Sequence, residues 1–164
     1  RVIRGKTAAL FRWVLRAGGA AAALSAAQVE ALGEAGASLG LAFQLVDDIL
    51  DLSGDPAVTG KDAFADLRQG KVTWPVIIAC ERDPDLRQHV AAIAAASEDE
   101  VGDVAAARLT ALLAGVEQTR ALAVTRTQAE AYAGASRAAL ATLPPGPARV
   151  ALEALVDAAI ERVK

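Results

Sequence analysis

With 164 residues, 54% of them hydrophobic and 23% charged, the chain is long enough to fold as one ordinary domain around a sizeable core. A net charge of -3 and an isoelectric point near 5.2 argue against general nucleic-acid binding, and no uncharged apolar stretch approaches the ~18 residues of a membrane span. A single histidine, His89, and a single cysteine, Cys80, exclude a zinc site of the Cys/His kind and an internal disulfide; one unpaired cysteine is compatible with a reducing cytoplasmic location.

Alanine is the commonest residue and aromatics are only 4%, which favours closely packed helices. The chain opens on Arg1, contains no methionine and begins in a helical pattern, so it is expected to be a piece of a longer protein. No signal peptide is evident, because Arg4, Lys6, Arg12 and Arg16 interrupt the opening segment. Residues 2–24 read as a helix, with Gly18-Gly19 either a weak point or a close-packing site. Ser25 and Gln28 have capping-box spacing and open a helix to about Ser53. Residues 54–72 carry Pro56, Gly60 and Gly70 and read as loop. Thr73 is the expected N-cap of a helix with Pro75 in its first turn, running to about Arg82. Asp83-Pro84 starts another, ending near Ala96, and Ser97 with Glu100 forms a second candidate capping box. A helix to about Leu113 and a long one over about 116–143 follow, and then Pro144-Pro145-Gly146-Pro147 breaks the chain. The last amphipathic helix carries Val150, Leu152, Leu155, Val156, Ile160 and Val163. With no repeat, strand alternation or linker, residues 1–164 are expected to be one all-α unit.

The functional signal lies in Phe43-Gln44-Leu45-Val46-Asp47-Asp48-Ile49-Leu50-Asp51. At about 100° per residue, Gln44, Asp47, Asp48 and Asp51 fall within an arc of roughly 100°. The apolar stripe of Leu32, Gly36, Leu39, Phe43, Val46 and Leu50 is centred roughly 110° away. The acids therefore sit on the shoulder of the buried seam, where a helix lines a cavity wall. Like charges one turn apart cost a helix a few tenths of a kcal/mol per pair, so a cation is expected to offset them. Carboxylates without His or Cys select a hard ion such as Mg²⁺, which is held by one or two carboxylates together with substrate phosphates. An EF-hand is unlike this pattern, because the acids lie on a helix and lack alternate spacing. Gly60-Lys61 and Gly70-Lys71 bracket the following loop, where each lysine can meet phosphate oxygens and each glycine lets the backbone approach a ligand. An acidic triplet alone is most often solvated charge; the neighbouring Gln44 and lysines set this one apart.

Phe43-Gln44-x-x-Asp47-Asp48-x-x-Asp51, followed by Gly60-Lys61, Asp66-Leu67 and Gly70-Lys71-x-Thr73-x-Pro75, resembles the second aspartate-rich region of trans-isoprenyl diphosphate synthases. Lys6-Thr7-Ala8-x-Leu10-Phe11 resembles that family's Lys-Thr segment. The resemblance spans about Lys6 to Pro75. It implies the C-terminal part of an antiparallel isoprenoid-synthase helical bundle, condensing isopentenyl diphosphate with an allylic diphosphate. It also implies Mg²⁺ at Asp47, Asp48 and Asp51, and contacts from Lys6, Lys61 and Lys71 to the allylic diphosphate. Thr7 and Gln44 would touch the substrate or orient its reacting carbons. Relatives are commonly homodimers; association with the missing N-terminal portion is the other implied partnership. Two departures stand out. Phe64-Ala65 precede Asp66 where the family often has a glycine two residues ahead, and the first aspartate-rich motif is absent, along with the basic residues that bind isopentenyl diphosphate. A non-catalytic partner subunit and a terpene cyclase fragment are the alternatives. The Lys-Thr and Gly-Lys segments argue against both, and no convincing Asn/Ser/Glu metal motif of a cyclase is present.

Of the remaining residues, Cys80 reads as core packing, His89 as a solvated position on a polar face, and Trp13 and Trp74 as core or interface; Arg162 with Lys164 reads as a solvated tail, the resemblance offering a reach into the active site as the alternative.

Overall fold

The computed structural model describes residues 5–53, Leu67, 71–95 and 103–162. The described residues form seven helices and no strand: α1 Thr7–Ala21, α2 Ala26–Ser53, α3 Trp74–Arg82, α4 Leu86–Ala95, α5 Asp103–Gln118, α6 Ala121–Ala141 and α7 Pro147–Glu161. The all-α expectation holds. Lys61, the Gly60 and Gly70 positions and the Ser97/Glu100 capping box lie outside the described residues.

Two compact units are present. One comprises residues 1–46 with 127–164, the other residues 47–126. In the first, α1 and the N-terminal part of α2 pack antiparallel, as the pairings Gly19 with Leu32, Gly33 with Arg16, Gly36 with Phe11 and Gly40 with Ala8 show. At Gly36 and Gly40 the backbones themselves approach, whereas Gly19 and Gly33 receive the Leu32 and Arg16 side chains. A Cβ added at Gly36 would lie 2.5 Å from the Phe11 carbonyl oxygen, and one at Gly40 would lie 2.7 Å from the Ala8 Cα. The start of α2 is fixed as its sequence suggests: the Ser25 N–H donates to Gln28 Oε1 at 2.9 Å and the Gln28 N–H to Ser25 Oγ at 3.4 Å. Gly18-Gly19 does not break α1; Gly19 is buried against Leu32. The unit's core is Leu32, Ala35, Leu39, Ala42, Ala133, Leu140, Leu143, Val156 and Ala159, and the Ser136 hydroxyl is satisfied by the Ala35 carbonyl at 2.9 Å.

In the second unit, α3, α4 and α5 pack together around Leu52, Leu67, Val76, Ala79, Leu86, Ile93, Leu112, Val116 and Ala121. The break expected between Leu113 and Val116 falls instead at Thr119-Arg120, and α5 runs on through Gly115. The reason is contact: Gly115 faces Leu86, whose Cδ2 would lie 2.4 Å from an added Cβ. The chain turns where Arg120 takes a positive φ of 54° and the Arg82 guanidinium donates to the Thr119 carbonyl at 2.6 Å. His89 is half-buried rather than solvated, with its Nδ1 buried and without a hydrogen-bond partner. Trp13 is 67% exposed and belongs to neither core cluster among the described residues.

Burial pushes the Cys80 thiol above its ordinary range; Arg87 opposes the shift and Asp83 adds to it. The thiolate is the reactive form, so iodoacetamide is expected to modify Cys80 several-fold more slowly in the folded chain than in urea at the same pH. Equal rates would contradict that placement. The folded state keeps this proton to higher pH than the unfolded one. The associated stability is therefore lost as pH rises through the alkaline thiol range.

Candidate active site

The Lys-Thr segment opens α1. Lys6 occupies the N-cap position, exposed, with no side-chain cap bond, and Thr7 is the first residue of the helix. The close approach of Ala8 to Gly40 brings Thr7 level with Gln44, and the Thr7 hydroxyl donates to Gln44 Oε1 at 2.8 Å. Two motifs separated by 37 residues thus meet through side chains. With Oε1 accepting, the Gln44 amino group carries that side chain's donor capacity. Phe43, one residue earlier, packs on Phe11 with ring centroids 5.7 Å apart, and the Arg162 guanidinium lies 5.3 Å from the Phe43 ring centroid. Arg162, expected to be a solvated tail, is a cation–π partner; Lys164 lies outside the described residues.

The acids follow on the second-unit part of α2. Asp47 and Asp51 are half-buried, while Asp48 is only 5% exposed. Asp48 Oδ2 accepts the Trp74 backbone N–H at 3.0 Å. Lys71 is exposed, three residues ahead of Trp74. Thr73 does sit at the N-cap of α3, in an extended conformation, but makes no side-chain cap bond. Its hydroxyl is buried without a hydrogen-bond partner, and the acceptor for the first helical amide comes from Asp48 instead.

Sequence reading could not have found the Asp48–Trp74 bond, because nothing local links residues 26 positions apart. The α1–α2 approach did leave a trace, in Gly33, Gly36 and Gly40 recurring at helical spacing.

A divalent metal can be tested against this donor set. Among the described residues, no group of three His, Cys, Asp or Glu is placed to enclose an ion. The available donors are the carboxylate oxygens of Asp47, Asp48 and Asp51 on α2. That fits Mg²⁺, which keeps waters and shares substrate phosphates; it does not fit a closed Cys/His zinc cage. Asp47 and Asp51 are the residues that could hold it, and Lys6 and Lys71 are the described cations suited to phosphate oxygens.

Comparison with known proteins agrees with these motifs. The polyprenyl synthetase family model matches residues 1–112. The chain belongs to the polyprenyl synthetase family. It is 36% identical over 99% of its length to a geranylfarnesyl diphosphate synthase of Aeropyrum pernix, covering 49% of that protein. It is 35% identical over 99% of its length to the octaprenyl diphosphate synthase of Escherichia coli, again covering 49% of the relative. Among solved structures, a decaprenyl diphosphate synthase from Rhodobacter capsulatus superposes with a TM-score of 0.83 at 36% identity, over 99% of this chain and 49% of that one. A Caulobacter crescentus polyprenyl synthase complexed with calcium and isoprenyl diphosphate gives 0.82 at 36% identity, over 97% and 47%. The chain thus spans about half the length of the relatives it matches, and the fold is that of the isoprenoid-synthase helical bundle.

Proposed function

We propose that the intact protein is a Mg²⁺-dependent trans-polyprenyl diphosphate synthase and that this polyprenyl synthetase chain is the C-terminal part of its single all-helical domain. The substrates on this reading are isopentenyl diphosphate and an allylic diphosphate. The observation that carries it is the Thr7–Gln44 hydrogen bond, which ties the Lys-Thr segment to the helix bearing the aspartates. Solvated charge has no use for such a tie.

The bond changes are those of an ionisation and an alkylation. The allylic carbon–oxygen bond breaks and its electron pair leaves with diphosphate. The isopentenyl double bond then forms the new carbon–carbon bond, and a proton is lost. Mg²⁺, when bound, supplies positive charge to the departing diphosphate. The chain's own residues do the rest. Asp47 and Asp51 would hold the ion, with Asp48 beside them. Lys6, Lys61 and Lys71 meet the diphosphate oxygens and stabilise charge developing there. Thr7 and Gln44 orient the reacting carbons, and the apolar faces beside Phe43 keep water from the cation.

A homodimer is proposed as the working assembly, on the resemblance to relatives of that kind. A cytoplasmic location belongs to the same proposal and is compatible with the single Cys80. No helix among the described residues is long and apolar enough to cross a membrane.

Two measurements test the reading. Incorporation of labelled isopentenyl diphosphate by the intact protein, given an allylic starter, is expected to require a divalent metal and to stop with EDTA. No incorporation with any starter would refute the proposal. The isolated 164-residue chain is expected not to condense the substrates at a normal rate, because the first aspartate-rich motif is absent; full steady-state turnover by this chain alone would overturn that expectation.

A further inference from the structure

We propose that Asp48 is a positioning residue that holds the first amide of α3, rather than a ligand of the metal. This rests on the prenyltransferase reading above and assigns a division of labour within its acidic triplet.

Burial supplies the first argument. Asp48 is 5% exposed, while Asp47 and Asp51 on either side remain half-buried. An ion that must exchange water and meet a substrate's phosphates needs accessible oxygens, and Mg²⁺ gives up its waters reluctantly. The second argument is the bond itself. Asp48 Oδ2 takes the Trp74 N–H at 3.0 Å, so the carboxylate lies at the positive end of the α3 dipole, where a negative charge is stabilised.

The third argument is that α3 needs an acceptor from outside. The first N–H groups of a helix lack partners within it. Residue Pro75, second in α3, has no N–H to offer, which leaves the Trp74 amide as the first donor to satisfy. Thr73 stands at the N-cap and makes no side-chain cap bond, although its hydroxyl is buried. The usual local device is therefore unused, and a carboxylate from 26 residues upstream replaces it.

The consequence reaches the candidate site. Lys71, Val72 and Thr73 lead directly into Trp74 without regular structure. Fixing the Trp74 amide fixes the end of the segment that carries Lys71, so Asp48 sets where that lysine stands.

Asparagine separates this role from ligation, because its carbonyl still accepts the amide while its charge is gone. Three forms of the intact protein are compared: the parent, Asp48→Asn and Asp48→Ala. Hydrogen exchange at the Trp74 amide is followed by ¹⁵N-tryptophan labelling, Mn²⁺ affinity in the presence of pyrophosphate by electron paramagnetic resonance, and KM for the allylic substrate by steady-state assay. Asp48→Asn is expected to keep Trp74 protection, Mn²⁺ affinity and KM within about threefold of the parent. Asp48→Ala is expected to accelerate exchange at Trp74 by about tenfold or more and to raise KM, with Mn²⁺ affinity little changed. A tenfold or greater loss of Mn²⁺ affinity in Asp48→Asn, with Trp74 still protected, would overturn the proposal and make Asp48 a ligand. So would unchanged exchange at Trp74 in Asp48→Ala. Should Asp48→Ala fail to fold, the asparagine form alone still decides. Failure of the parent to bind Mn²⁺ with pyrophosphate would count against the prenyltransferase reading itself, while Trp74 exchange would still judge the cap.

Discussion

Replacing Asp47 with alanine is expected to lower turnover of the intact protein by about a hundredfold or more, the scale seen when one electrostatic stabiliser of a transition state is removed. Asp47 suits this test better than its neighbour. It is half-buried, and no bond from it to a helix terminus complicates the outcome as the Trp74 contact complicates Asp48. The loss should appear mainly in kcat and in the Mg²⁺ concentration needed for half-maximal rate. Thermal stability should move little, because substitutions away from a packed core usually cost within about 0.5 kcal/mol. Turnover and Mg²⁺ dependence that both match the parent would remove Asp47 from the site.

Gly40→Ala should destabilise the α1–α2 pair although it adds a single methyl group. Alanine is ordinarily worth about 1 kcal/mol over glycine inside a helix. Here the new Cβ would lie 2.7 Å from the Ala8 Cα and 3.2 Å from the Ala8 nitrogen. Both are backbone atoms with no rotamer by which to give way, so α1 must move. Overpacking of this kind costs about 1–3 kcal/mol, and it outweighs the propensity gain. Gly134→Ala provides the control: nothing lies within 4 Å of its added Cβ, so stabilisation by roughly 0.5–1 kcal/mol is expected. Urea unfolding of the two variants should therefore shift in opposite directions. Because Ala8 is next to Thr7, Gly40→Ala should also raise KM for the allylic substrate by disturbing the Thr7–Gln44 bond. Equal stabilisation by both substitutions would mean that α1 and α2 are not in close contact at this point.

Elements governed by neighbouring residues were legible in the sequence. The Ser25/Gln28 capping box opens α2 where expected, Thr73 and Pro75 mark the start of α3, and of the expected α2 stripe Leu32, Gly36, Leu39 and Val46 are buried while Phe43 and Leu50 are half-buried. Errors arose where a distant partner decides the outcome. The helix end expected between Leu113 and Val116 is not found, because Gly115's lack of a side chain serves the approach of Leu86 and the helix continues. His89 reads as a polar-face residue, but its Nδ1 is buried. In the candidate site, the Lys-Thr segment and Gln44 were each visible as motifs, whereas their meeting depends on the Gly36 and Gly40 approaches. Asp48 looked like its two acidic neighbours. Only the three-dimensional path of Lys71–Trp74 distinguishes it.

The Arg162–Phe43 contact bears on how the protein should be handled in the laboratory. A guanidinium 5.3 Å from that ring couples the C-cap of α7 to the residue immediately before Gln44. Replacing Arg162 would alter the surroundings of Phe43 and, through it, of the neighbouring amide side chain. Kinetic comparisons are therefore sound only between proteins that keep this cation–ring pair.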